Sequence, residues 1–356
     1  MNITPVEDCV VDFGDGTKQT FTGNNSSTQV NHSYSESNIY TIKITGNHSN
    51  FRASQNTIEI IQISNSITDC SLMFYSCSSL TEIPETLTIP DSVTNCSSMF
   101  YGCSNLTAIP ETLIIPNSVT NCLSMFFYCS KITAIPSTLT IPDSVTDCSY
   151  MFQNCASLTA IPSTLTIPNS VTNCSYVFSN CSNLTTIPST LTIPDSVTNC
   201  SSMFYGCSNL TAIPETLRIP DSVTNCSNMF SGCSNLTEIP STLTIPDSVT
   251  DCSYMFRNCS SLTEIPSTLT IPNSVTKCSY MFYSCRGLTS DISNIWPTWN
   301  STGTINLSNM FNSCSKVVGT IPADKLWNSG KTFNSRGCFT GCTSLTNYAK
   351  IPAGWK

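Results

Sequence analysis

Charge is scarce in this chain. Only 10% of its 356 residues are Asp, Glu, Lys or Arg, against about a quarter in ordinary soluble domains. The polar surface must therefore be built from Ser, Thr and Asn. The balance is acidic, with a formal net charge of −8. Between Glu59 and Glu215 Lys131 is the single basic residue. A nucleic-acid binder needs a basic stripe, so no nucleic-acid partner is expected. Histidine is nearly absent, with only His32 and His48. No apolar run reaches the roughly 18 residues of a membrane span, so no membrane insertion is expected. The opening MNITPVEDCVVDFGDG has no basic stretch followed by an apolar one, so no signal peptide is expected.

Cysteine is abundant instead, with 22 residues. One series runs Cys70, Cys96, Cys122, Cys148, Cys174, Cys200 and on to Cys278. A second runs Cys77, Cys103, Cys129, Cys155, Cys181, Cys207 and on to Cys285. Both step by 26 residues, a period that signals a solenoid. Degenerate copies follow at Leu307–Cys314 and Ser335–Cys342, which predicts about eleven coils. Each coil carries alternating apolar residues between prolines, such as Leu113 and Ile115 before Pro116. That alternation predicts a short strand, with Pro confined to its ends. The segment DSVTNCSSMFYGCSNL spaces its apolar residues by three and four, which predicts a bend and a short helical turn.

The thiols have three readings. Zinc favours close pairs such as C-x2-C and histidine partners, but the gap here is C-x6-C and no coil contains His. Disulfides would join like cysteines of neighbouring coils, yet side chains in parallel columns point alongside one another. Free Cys packs as a small hydrophobe, so buried, reduced thiol columns are expected. No metal and no cofactor is predicted. Nucleophilic catalysis lacks a positioned base. The carboxylates Glu82, Glu85, Glu111, Glu215, Glu238 and Glu264 scatter over positions that other coils fill with Ser, Ala or Thr. No enzyme is predicted.

The segment IPDSVTNCSSMFYGCSNLTAI resembles the BspA-like leucine-rich repeat. Cys96 stands where that pattern has Ile, and Met99-Phe100 where it has Ala-Phe; Cys103 and Leu106 match directly. The Met-Phe pair is also similar to repeats of Mycoplasma and gut-bacterial surface proteins. The resemblance covers about residues 57 to 350 and implies a right-handed, mainly β solenoid. Three extra residues in IPETLTIP enlarge each coil. Ahead of it, VDFGDGTKQTF and VNHSYSESNIYTIKITG resemble a PKD domain through Asp12-Phe13-Gly14-Asp15-Gly16, His32, Tyr34 and Tyr40-Thr41-Ile42. Only eleven residues precede the motif, so this Ig/PKD-like β-module is truncated. It is expected to share core with the first coil, at Ile61, Ile63 and Ile67. Asp12 and Asp15 suit either calcium or a turn, and turns are the commoner use of Asp-Gly. The predicted domains are 1–52, the PKD-like module; 53–290, the solenoid; and 291–356, degenerate repeats and a C-terminal cap.

Three features suit recognition. The residue after Phe varies as Tyr75, Tyr101, Phe127, Gln153, Ser179, Tyr205, Ser231, Arg257 and Tyr283. The residue before Met varies as Leu72, Ser98, Ser124, Tyr150, Tyr176, Ser202, Asn228, Tyr254 and Tyr280. Where one is small the other is often a ring. Tyr75, Tyr101, Phe127, Tyr150, Tyr176, Tyr205, Arg257 and Tyr283 are thus a candidate binding surface, or rings sharing one packing gap. Second, Trp296, Trp299, Trp327 and Trp355 all lie near the C-terminus, as an end cap or as an end patch that binds. Third, Thr-x-Thr columns such as Thr164/Thr166 look like those of ice-binding solenoids, or simply suit a solvent-facing strand. Ile114 and Arg218 interrupt them.

Both resemblances imply a non-enzymatic recognition or adhesion protein. The expected partner is a protein or glycan on a cell or virion surface, with other virion proteins also in view. A reducing cytosol suits free thiols, and lysis needs no signal peptide. The expected setting is therefore a phage virion exterior, as a head or tail decoration or fibre. The alternatives are an extracellular or bacterial cell-surface adhesin, a purely structural virion scaffold and, as a minor reading, an ice-binding solenoid.

Overall fold

A computed structural model describes residues 1–36, 41–45, 48–53, 63 and 65–356. Tyr40 and Ile61 lie outside the described residues. Six short strands open the chain: β1 (Asn2–Pro5), β2 (Cys9–Asp12), β3 (Lys18–Phe21), β4 (Thr28–Gln29), β5 (Lys43–Thr45) and β6 (His48–Arg52). They form two antiparallel three-stranded sheets, ordered β4-β1-β6 and β3-β2-β5. The β2–β3 turn places Gly14 at φ 78 and Gly16 at φ 91. Asp12 Oδ1 accepts the Gly14 N–H at 3.0 Å, and Asp12 Oδ2 pairs with Lys18 Nζ at 2.9 Å. The Asp residues therefore serve the turn. Ile3, Cys9, Val11, Phe13, Phe21 and Val30 make a core of their own. Phe51 packs against both this core and that of the solenoid. The expected common core is thus two cores in contact, because each sheet pair already buries its inward residues.

From Asp69 onward the coils are joined by single-residue parallel bridges, Asp69 to Asn95 to Asn121 to Asp147 and on to Lys277. The ladder then passes to Asn306, and β7 (Ile305–Asn306) pairs in parallel with β8 (Phe333–Asn334). Among the described residues helix is confined to two 3₁₀ turns, Tyr348–Lys350 and Ala353–Trp355.

The ladder is narrow because the Cys-to-Cys segment alternates two kinds of bond. Cys96, Ser98, Phe100 and Gly102 donate their N–H groups to the next coil, at Asn121, Leu123, Met125 and Phe127, over 2.7–2.9 Å. The intervening Met99, Tyr101 and Cys103 fold back to carbonyls three residues earlier, at 3.1–3.2 Å. Three overlapping turns result, with Ser98 (φ 54) and Gly102 (φ 73) at the third positions of the first and the last. Positive φ at that position marks a type II turn. An Asn or Asp before most first cysteines adds an Asx turn: Asn95 Oδ1 accepts the Ser97 N–H at 3.0 Å, and Asp147 does the same for Ser149 at 2.8 Å.

The strand expected around Leu113 and Ile115 is absent. Both side chains are buried as the alternation implied, but the backbone makes two successive turns. Leu113 N–H bonds to Pro110 O at 3.1 Å, and Val119 N–H to Pro116 O at 3.0 Å. Proline cannot donate to a ladder, so pairing moves to the proline-free half of the coil.

The interior is a set of columns. Phe74, Phe100, Phe126 and their successors to Phe339 stack ring on ring with centroids 5.2–6.3 Å apart. Trp355 closes this stack, 6.2 Å from Phe339. Trp296 (1% exposed) and Trp299 (3%) are buried in the same core. Trp296 Nε1 donates to Ile292 O at 2.7 Å, and its ring meets Phe311 and Phe339 edge-on. Trp327 is half-buried against Trp355. These rings therefore close the open end of the stack and do not form an exposed patch, because the terminal apolar surface needs covering.

One backbone position gives a direct test. Gly206 sits at φ 70, and a Cβ there would overlap Asn180 Oδ1 of the previous coil. At Gly232 (φ 81) the nearest atom to such a Cβ is 3.4 Å away. Gly232→Ala should cost about 1 kcal/mol from positive φ alone, and Gly206→Ala about 2 kcal/mol or more. Urea denaturation of the two variants checks this; equal losses would show that the contact with Asn180 is harmless.

Candidate functional site

The thiols are structural. All 22 cysteines are buried and stand outside any disulfide. From Cys103 onward each thiol of the second column reaches back to the coil before it: Cys103 Sγ donates to Phe74 O at 3.1 Å, and Cys207 Sγ to Phe178 O at 3.2 Å. The same Phe74 carbonyl takes the Cys77 N–H at 3.1 Å, so the thiol occupies the second lone pair of a buried oxygen. A residue this small with a weak donor explains the column better than an aliphatic would. Burial pushes the Cys103, Cys155 and Cys207 thiols up to about 12. They are protonated at neutral pH, and the thiol is neither a good nucleophile nor a metal ligand. Among the described residues no group of three His, Cys, Asp or Glu is placed to hold a metal.

The Thr columns are also ties between coils. Thr164 Oγ1 donates to Ser137 O at 2.6 Å, and Thr190 Oγ1 to Ser163 O at 2.7 Å. In this first column the hydroxyls are spent on backbone carbonyls of the previous coil, while the second column, with Thr166 and Thr192, stays exposed. Ile114, 59% exposed, and Arg218 break the second column.

What remains is the face carrying the paired turns. Tyr75, Tyr101, Phe127, Tyr150, Tyr176, Tyr205, Arg257 and Tyr283 are all half-buried there. The structure joins them into separate groups. Tyr75, Tyr101 and Phe127 stack at 4.7 and 4.5 Å, and Arg52 of β6 lies over Tyr75 at 4.7 Å. Tyr150 stacks on Tyr176 at 4.7 Å. Tyr254 stacks on Tyr280 at 4.8 Å, and Tyr280 meets Tyr283 at 5.3 Å. Arg257 stands 5.7 Å from the Tyr254 ring and 5.8 Å from that of Tyr283. Tyr205 forms no ring stack with a neighbouring coil's aromatic in these groups.

The packing-gap reading is met in part. Ser179 (0% exposed) and Ser202 (2%) are covered in the coils whose other position carries Tyr176 or Tyr205. A ring does fill the space its small coil-mate leaves. Its outer edge still faces solvent, however. Stacking covers the flat faces, so this lane presents ring edges and phenol hydroxyls.

The tyrosines before Met stand at a backbone position that disfavours them. Tyr150, Tyr176, Tyr254 and Tyr280 have φ of 60–62°, where other coils place Ser98, Asn228 or Gly337. Positive φ is uncommon for a bulky side chain and costs on the order of 1 kcal/mol. Repetition alone reveals the variable positions, and it misses Arg52, which joins the first stack only through the N-terminal module.

The comparisons follow this geometry. The model for a BspA type leucine rich repeat region, described as six copies, matches residues 47–185, 84–211, 148–289, 188–318 and 241–354. A leucine-rich repeat protein from Eubacterium ventriosum ATCC 27560 is 20% identical, with 88% of this chain and 92% of that chain covered and a TM-score of 0.47. The TLR13–ssRNA13 complex is 12% identical, with 80% of this chain and 48% of that chain covered and a TM-score of 0.23. No curated protein matches. With family matches running from residue 47 to 354, the chain belongs to the BspA-type leucine-rich-repeat family.

Proposed function

We propose that this is a non-enzymatic recognition protein that binds a protein or glycan on a cell or virion surface. The observation that carries the reading is the aromatic lane. Four tyrosines occupy positive-φ sites where smaller residues are less strained, and strain kept in a fold points toward use. Tyr and Arg are also the residues that dominate recognition energetics. A stack of eleven coils behind a PKD-like module holds these side chains in register. Little side-chain entropy is then lost on contact, and repeated weak contacts add. The setting we favour is the exterior of a phage virion, as a decoration or fibre; a bacterial surface adhesin and a structural virion scaffold are the alternatives.

The test uses substitutions the chain already tolerates, since Ser fills both positions in other coils. Replacing Tyr101, Tyr176 and Tyr254 together by Ser should leave the far-ultraviolet spectrum intact. Binding to host cells or mucin should fall by about tenfold or more. If the unmodified protein binds no cell or mucin yet co-purifies stoichiometrically with capsids, the scaffold reading replaces this one.

A further inference from the structure

Two places on the lane share one layout. In the first, Tyr150 stacks on Tyr176 of the next coil, and Gln153 follows Phe152. In the second, Tyr254 stacks on Tyr280, and Arg257 follows Phe256. The two are 104 residues apart, which is four coils. Each also leaves a buried polar atom without a hydrogen-bond partner: Gln153 Oε1 and Arg257 Nε. No other side-chain atoms on this lane do so except Ser179 Oγ.

Arg257 is the more telling. The chain has 22 acidic side chains against 14 basic ones, yet no described residue forms an ion pair with this guanidinium. It lies within about 6 Å of two tyrosine rings, the range of a cation–π contact. Its Nε is desolvated and unpaired, which costs free energy and leaves the outer Nη groups as the donors a ligand can reach. A half-buried Arg of this kind suits a carboxylate, which it can hold with two parallel hydrogen bonds. The neighbouring rings of Tyr254 and Tyr283 bring phenol hydroxyls to the same part of the lane.

We infer that this lane binds a carboxylate-bearing glycan, with the acidic group at Arg257 and a neutral sugar at Gln153. The inference rests on the recognition reading above and names its ligand class. A protein partner would need apolar anchors in desolvated pockets, whereas the lane offers ring edges and hydroxyls with small polar residues between. The two subsites lie about 19 Å apart, four spacings of about 4.8 Å. A chain-like ligand can reach both, and the second contact is then intramolecular.

Polygalacturonic acid is the probe, with dextran as the neutral polymer and polyglutamate as a carboxylate polymer without sugar. Calorimetry on the full chain should give binding to the first, weakened by salt, and none to dextran. Arg257→Gln should weaken it by about tenfold or more, and Gln153→Ala by a few-fold. Both variants should keep the parent's far-ultraviolet spectrum, because each side chain is only half-buried. Equal affinity for polyglutamate would overturn the glycan assignment, as would unchanged affinity in Arg257→Gln. Loss of this inference with cell or mucin binding intact would leave the general recognition reading standing.

Discussion

Raising the pH to about 10 in a reducing buffer unfolds the solenoid. Seven thiols, Cys103, Cys122, Cys148, Cys155, Cys200, Cys207 and Cys342, are pushed from the ordinary 9.0 up to about 12, first by burial. The neutral thiol is thus favoured in the folded chain. Below pH 9 both states hold the proton and the stabilisation is fully present. Between pH 9 and 12 the unfolded chain releases protons that the folded chain keeps, so stability is lost as pH rises. Each such thiol withdraws on the order of 1 kcal/mol by about pH 10. Together the seven withdraw several kcal/mol, a large fraction of the whole stability of many proteins. Circular dichroism followed against pH, together with the ultraviolet absorbance of thiolate, checks this. Loss of structure and appearance of thiolate should coincide. A folded spectrum that persists while thiolate forms would show that the columns are accessible. The same burial predicts that alkylating reagents at neutral pH leave most of the 22 cysteines unmodified.

Phe204→Ala should be the most damaging single truncation in the core. Its ring is fully buried between Phe178 and Phe230, 5.7 Å from each. Removing it leaves a cavity that the neighbouring rings cannot fill, because each is already stacked on its far side. The expected loss is about 3–5 kcal/mol. The position adds a second effect. A solenoid is held by nearest-neighbour interfaces, so a weak central interface uncouples the two halves and denaturation becomes a two-step process. Phe74→Ala, whose ring stacks on Phe100 at the start of the column, should cost less and leave one cooperative transition. A loss below about 1 kcal/mol for Phe204→Ala would mean that the columns tolerate gaps.

Much of this architecture is legible in the letters. The 26-residue period places Cys, Met, Phe and Leu in columns, and a column of like residues at every coil is buried because it is the part that cannot vary with the surface. The failures are local. Leu113 and Ile115 alternate as a strand does, and both are buried as that pattern requires. Yet the flanking Pro110 and Pro116 convert the segment into turns, since a residue without N–H cannot extend a ladder. The Met-Phe segment has the spacing of a helix, but alternate N–H groups leave it for the next coil. Periodicity reports which side chains face inward and says nothing of where the backbone bonds go.

The candidate site divides in the same way. The variable aromatic positions stand out against the invariant columns, and so do the four tryptophans. Whether a variable ring is exposed depends on what the next coil places above it, and whether Trp296 and Trp299 form a patch depends on the end of the stack. By itself the sequence determines the repeat, the identity of the core columns and the family resemblance, because these follow from strict spacing. Only the tertiary structure decides that tyrosines before Met sit at positive φ, that stacking hides their faces, and that Arg257 has no acidic partner among the described residues. Each of those is set by contacts between coils 26 residues apart, and no property of one coil contains them.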